Sequence, residues 1–396
     1  MKSAWGTACG GACLLTALLL VSCGSSSSLL SGVAAGPNVV QPNGRQATEP
    51  IQLRYSLGKQ ATVTVKIRSD ADGHEITLRP SEQLSAGDHF VLFNGVVPTG
   101  AAPGPTATGV AQVLPNGSYK LLVHADSGGQ TADGEAAFSL KDAQTALPTL
   151  ENLQVYPATI SPNSDAIDDV AQITYRLAQT CTTSVTLDGQ SGTRVTVLAP
   201  SRVPAGEQRV VFNGQSLLGV PVANGVYTVT VRAEDRAGNA VEARSPLTVT
   251  DAGIPNLDVL SVKLDPPKLM LGGKLHVQMV VQNTGDVPLR TQGPDPGYTY
   301  TTNDSYANIE GGRYTDKAGL WRVGLDWEGN SGGAPYRYPF RWGFGNTLAP
   351  GATATVDGYV TILKHEQTMW FFAGILQEGV SIFKDGLGRT PVGVSW

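Results

Sequence analysis

The sequence predicts an all-β chain of tandem sandwich domains, and three observations carry that prediction. The 396 residues include 47 Gly and 25 Pro while only 15% are charged, the composition of turn-rich β structure. Apolar and polar residues alternate in run after run, as in "ATVTVKI" at 61–67, and other runs, such as "HFVLF" at 89–93 and "NGVYTVTVRA" at 224–233, end or start at Asn-Gly pairs that tolerate positive φ. The third observation is an internal repeat. A length of this kind accommodates about three domains.

The repeat is read from four ordered matches. "QLRYSL" at 52–57 matches "QITYRL" at 172–177, an offset of 120, and "PNG" from Pro42 matches "PNS" from Pro162 at the same offset. "SAGDHFVLFNG" at 85–95 then matches "PAGEQRVVFNG" at 204–214, and "LPNGSYKLLVHA" at 114–125 matches "VANGVYTVTVRA" at 222–233. One domain type is therefore used twice. The copies differ by an insertion around "PTGAAPGPTATG" at 98–109, read as a long hairpin loop or flap of copy one that Gly and Pro keep out of any strand.

The order of these motifs, with "AEDRAGNAVE" at 233–242 closing copy two, resembles the flagellar hook-capping (FlgD-type) Ig-like repeat of bacterial surface proteins. Where that family has "WDG" this chain has "FNG", with Phe93 and Phe212 at the aromatic position. The resemblance implies two Ig-like β-sandwiches, at 38–145 and 146–252, serving as spacer or assembly modules. Copy two also carries Asp165, Asp168 and Asp169 in "SPNSDAIDD". Carboxylates in such a loop can hold calcium, but copy one lacks all three, and a turn whose Asp side chains cap local backbone is the favoured reading.

The N-terminus reads as an export signal over 1–22. Lys2 supplies the positive end, 14–21 the apolar run, and "LVSC" at 20–23 the close. That motif resembles the lipobox of bacterial lipoproteins, which implies that Cys23 is lipidated and becomes the mature N-terminus; an ordinary signal peptide with a chance cysteine is the alternative. Multiple acyl chains anchor stably. A Gly/Ser-rich flexible tether is expected over 23–37. With Cys9 and Cys13 lost with the signal and Cys23 lipidated, Cys181 alone remains, so no intramolecular disulfide forms. Cys181 lies in a strand-like stretch and reads as a core or edge thiol.

A different domain is expected over 255–396. "KLHVQMVVQNTGDVPL" at 274–289 resembles the opening strand of the cell-adhesion-related bacterial (CARDB-like) Ig domain. This region holds 17 aromatics against 10 in the preceding 254 residues. In "YRYPFRWGFG", Tyr336, Tyr338, Phe340, Trp342 and Phe344 share one strand face while Arg337, Arg341 and the glycines take the other. "WRVGLDW" alternates likewise, with Arg322 and Asp326 on its polar side. Two half-buried strands, aromatic side inward and polar side to solvent, are the preferred reading. A binding platform is the alternative, and its candidate residues are Tyr298, Tyr300, Tyr306 and Tyr314, set among Thr, Asn and Asp in the loop 297–314.

Chemistry is sparse. The formal charge of −5 without a basic stripe disfavours nucleic acid. The five histidines are scattered, no nucleophile elbow or phosphate loop is present, and no metal or cofactor is expected. The chain thus reads as a non-enzymatic lipoprotein on the extracytoplasmic side of the envelope, at the outer membrane or cell surface. Its membrane partner is reached through the lipid anchor, and its two repeats act as a stalk that presents the last domain to a protein or glycan partner.

Overall fold

A computed structural model of the chain describes residues 28–45, 49–315, 317–330 and 337–396. The fold is all-β, as the sequence predicts, and the described residues hold one short 3₁₀ turn at Ile309–Gly312. Cys23 and Tyr336 lie outside the described residues. No helix among the described residues is long and apolar enough to cross a membrane.

The chain divides into two compact units, the first of which comprises 28–41, 49–95 and 116–142 among the described residues. Its three-stranded sheet pairs Ile51–Leu57 with Leu30–Gly36 on one side and Gly87–Phe93 on the other. Its five-stranded sheet runs Val39–Val40, Gln130–Leu140, Gly117–Ser127, Ala61–Ser69, Glu75–Leu84. The inward positions of the alternating runs, Leu53, Tyr55, Val63, Val65, Leu121 and Val123, form the core. Part of the tether expected over 23–37 is instead a strand. Leu30–Gly36 is a strand, because its backbone groups complete the edge of Ile51–Leu57 even though Ser, Gly and Ala give it no alternation.

The second unit contains 143–396 together with 42–45 and 96–115 among its described residues. Its repeat reproduces the first strand by strand. Leu150–Tyr156 stands for Leu30–Gly36, with a register shift between Glu151 and Gln154 where the first copy shifts between Ser31 and Ala34. The insertion of copy one departs from its expected place. Val96–Pro98 and Thr108–Val113 form a hairpin whose second arm pairs antiparallel with Ala240–Val249, extending the sheet of the second repeat. Residues 99–107 stay outside the strands, but the flanks find an open sheet edge and cover it. Asn239, fully buried, fastens the hairpin through its Oδ1, which accepts the Val113 N–H at 2.8 Å, while its Nδ2 donates to the Gln144 carbonyl between the repeats at 2.8 Å.

The C-terminal sandwich packs a four-stranded sheet against a five-stranded one. The first runs Leu257–Asp265, Lys274–Asn283, Thr353–Thr361, Thr299–Thr301; the second runs Lys268–Met270, Ser381–Ser395, Met369–Gln377, Trp321–Trp327, Phe340–Trp342. Leu275, Val277, Met279 and Val281 face Val323, Leu325, Phe371 and Ile375 in one core. Cys181 is buried in the core of the second repeat, where burial pushes its thiol up from its ordinary value.

Candidate functional site

The aromatic stretch at 337–345 builds core on its inward side. Phe340, Trp342 and Phe344 lie buried in it, whereas Tyr338, expected on the same face, is buried outside it, with its ring against Gly324 and Gly374 on the outer face of the sheet. The expectation that the opposite side faces solvent is overturned. Arg322, Asp326 and Arg341 are 0%, 2% and 4% exposed, because the chain from 290 to 320 and the segment from 337 fold over the outer face of Trp321–Trp327. Strand alternation signals which residues share a face, and not whether another layer covers it.

Covered charges need partners. Glu378 receives both arginines: Arg322 Nη1 donates to Oε1 at 3.0 Å and Arg341 Nη1 to Oε2 at 2.6 Å. Arg322 Nε further donates to the Gln292 carbonyl at 3.0 Å, and Arg341 Nε to the Tyr338 carbonyl at 2.8 Å. Burial lowers the pKa of Arg322 while Glu378 opposes that shift. Asp326 accepts the Trp327 N–H at 2.9 Å, the Tyr338 N–H at 3.0 Å and Asn330 Nδ2 at 2.8 Å.

Tyr338 holds the second cover in place. Its φ of 56° lies in the left-handed region that a bulky side chain rarely adopts, and the Asp326 bond to its N–H stabilises it there. Its ring rests on two glycines. A β-carbon at Gly374 would approach Tyr338 Cζ to 2.3 Å, and one at Gly324 would approach its Cβ to 2.8 Å. Its hydroxyl donates to Asp385, whose carboxylate also takes both Nη atoms of Arg337 at 2.8 and 2.7 Å. The Arg337 guanidinium holds the Asp385 carboxyl below the usual carboxylate range.

The four tyrosines proposed from sequence separate. Tyr300 is fully buried at the centre of the core and donates to the Arg341 carbonyl at 2.8 Å; burial pushes its phenol well above the ordinary value. Tyr314 is buried as well, and Tyr298 packs edge-on against Tyr300 at 5.0 Å between ring centroids. These three belong to the packing of the sandwich. Tyr300 enters the core because Thr299–Thr301 pairs in parallel with Thr353–Thr361, a non-local contact that the spacing of tyrosines does not signal.

Of the four, Tyr306 lines a groove. Half-buried, it lies under the Arg341 guanidinium, with Cζ 3.5 Å from the ring centroid. The groove, of about 600 Å³, is further bounded by Lys317, Arg337, Gln377 and Glu378. Ring, guanidinium, amide and carboxylate within one shallow site supply stacking together with both hydrogen-bond donors and acceptors. Sequence reading found Tyr306 but missed its neighbours, whose only signal was polar residues recurring at every second position.

The acidic loop 161–169 is a closed backbone device. Ser164, Ala166 and Asp168 have φ of 62°, 63° and 51°, so their N–H groups turn inward as a nest. The Asp169 carboxylate fills it, accepting from Asn163, Ser164 and Ala166 at 3.0, 2.7 and 2.7 Å. Asp165 accepts the Ile167 N–H at 3.0 Å and pairs with Arg290. Among the described residues no group of three His, Cys, Asp or Glu stands at metal-binding geometry.

No family model matches the chain, and no curated protein matches it. Solved structures do. The native Escherichia coli alpha-2-macroglobulin aligns over 92% of this chain and 23% of its own length, at 12% identity and a TM-score of 0.24. Extracellular domains 3–5 of Drosophila OTK align over 90% and 93%, at 14% identity and 0.21. A bacterial ice-binding adhesin, described for host cell surface retention, aligns over 92% and 95%, at 13% identity and 0.18. The chain thus spans about a quarter of the macroglobulin.

Proposed function

We propose that this chain is a lipid-anchored structural or adhesion protein of the cell envelope, held on the extracytoplasmic side through Cys23. Its tandem Ig-like sandwiches carry the aromatic-rich C-terminal sandwich to a protein partner on the cell surface or in an envelope scaffold, without catalysis or cofactor. The observation that supports this reading is the commitment of the chain's charged groups to architecture: Arg322, Arg341, Glu378, Asp326 and Asp169 spend their bonding capacity on fixing covers and loops. Labelling cells with radioactive palmitate tests the anchor, since label should enter the wild-type chain and not Cys23→Ser. Protease shaving of intact cells tests the location, and a chain fully protected until lysis would sink the surface assignment.

A second reading is favoured by one specific feature, the Tyr306 groove. Carbohydrate or cell-wall binding there fits an aromatic ring beside Arg341, Gln377 and Glu378. Affinity electrophoresis of the chain in envelope polysaccharides checks it: retardation lost in Tyr306→Ala, with an unchanged circular dichroism spectrum, supports binding, and no retardation in any polysaccharide removes this reading.

A further inference from the structure

One end of the C-terminal sandwich exposes an apolar cluster that the fold does not use. Met270 ends the strand Lys268–Met270, Leu271 lies in the turn after it, Leu363 lies in the loop after Thr353–Thr361, and Trp396 follows Ser381–Ser395. Their exposures are 63%, 37%, 45% and 77%. Backbone bonds bring the three segments together: the Leu271 N–H donates to the Ser395 carbonyl at 2.8 Å, and the Gly272 N–H to the Ile362 carbonyl at 2.8 Å. His365 stacks on Trp396 with ring centroids 4.4 Å apart, which holds the indole at the surface. Lys268, Lys274 and Lys364 are exposed around this cluster, without an ion-pair partner among the described residues.

We infer that this tip docks on an anionic lipid bilayer. The choice of a membrane over a protein partner rests on composition. Protein interfaces are depleted in Lys, whereas a membrane boundary favours Trp and long aliphatics at the level where Lys can keep its ammonium among lipid headgroups. The turn, the loop and the strand end together expose large apolar side chains, which can enter a headgroup layer. The three unpaired lysines supply attraction to negative lipid, which adds for each cation near the surface.

The test uses residues 28–396, within which the described cores close and from which Cys23 is absent, so that no acyl chain contributes. Its failure would leave the palmitate experiment untouched. The chain is co-sedimented with vesicles of phosphatidylcholine containing phosphatidylglycerol and with vesicles of phosphatidylcholine alone. Binding is expected to the mixed vesicles only, with a blue shift of tryptophan emission that Trp396→Ser abolishes. The triple variant Lys268→Gln, Lys274→Gln, Lys364→Gln should bind about a hundredfold more weakly. Leu271→Ser with Trp396→Ser should weaken binding roughly tenfold or more, and both positions are exposed enough to leave folding intact. Three outcomes each overturn the inference: no sedimentation with mixed vesicles, equal sedimentation with both kinds, or sedimentation indifferent to the tip substitutions.

Discussion

The ring of Tyr338 occupies the space where Gly374 would otherwise carry a side chain, with a β-carbon at 374 placed 2.3 Å from Cζ. Tyr338 cannot retreat, since its N–H is held by Asp326 and its hydroxyl by Asp385. Gly374→Ala is therefore expected to destabilise the chain by about 1–3 kcal/mol through overpacking. Gly393→Ala, in a strand position whose nearest neighbouring atom is 3.6 Å away, is the control and should be close to neutral. Urea midpoints of the two variants check this, and equal midpoints would show that Tyr338 yields.

Glu378 is the shared counter-charge of two buried guanidiniums. Glu378→Gln should cost about 3–5 kcal/mol, because Arg322 stays fully buried while its carboxylate is gone. Adding Arg322→Met to that chain should recover part of the loss by removing that buried charge. Thermal unfolding of the single and double variants decides it, and a double variant less stable than the single one would count against the account.

Alkaline stability follows from Tyr300 and Tyr338, both raised mainly by burial. An unfolded phenol titrates near about pH 10. Above that value the unfolded chain releases protons that the folded chain retains, so this stabilisation is complete below about pH 10 and is lost as pH rises toward the folded values. The denaturation midpoint should stay flat through neutral pH and fall above about pH 10, with a smaller fall in Tyr300→Phe. Ultraviolet titration showing all phenols ionising together in the folded chain would contradict this.

Asn239 ties the hairpin at 96–113 to the second repeat by accepting the Val113 N–H, and its amide nitrogen donates to Gln144 in the connection between the repeats. Asn239→Ala leaves the buried Val113 N–H and Gln144 carbonyl without those partners, a loss of about 1–3 kcal/mol. Hydrogen exchange should accelerate first over residues 108–113. Protection unchanged there would mean that strand pairing alone holds the hairpin.

Much of the fold was legible because many repeat strands alternate, and several of them also abut an Asn-Gly pair. Gly117–Ser127 and Gly225–Glu234 satisfy both local rules. Leu30–Gly36 was hidden because its place in the sheet depends on backbone pairing rather than on side chains. The site was less legible for the same reason in reverse. Arg322 and Arg341 alternate as solvent-facing residues would, yet distant chain covers them, and nothing local to either strand announces that cover. Tyr300 was sought at the surface because its neighbours are polar, and its buried position follows from pairing with residues 359–361.

The hairpin at 96–113 also imposes a schedule on a growing or translocating chain. It is made long before Ala240–Val249, the strand it pairs with. During that interval it is an unmatched β-ribbon, an adhesive edge in a crowded compartment. Its own turn, rich in Gly and Pro at 99–107, keeps that edge short while it waits. The second repeat can close its sheet only after more than a hundred further residues have emerged, so the late arrival of one strand decides when an early segment stops being a hazard.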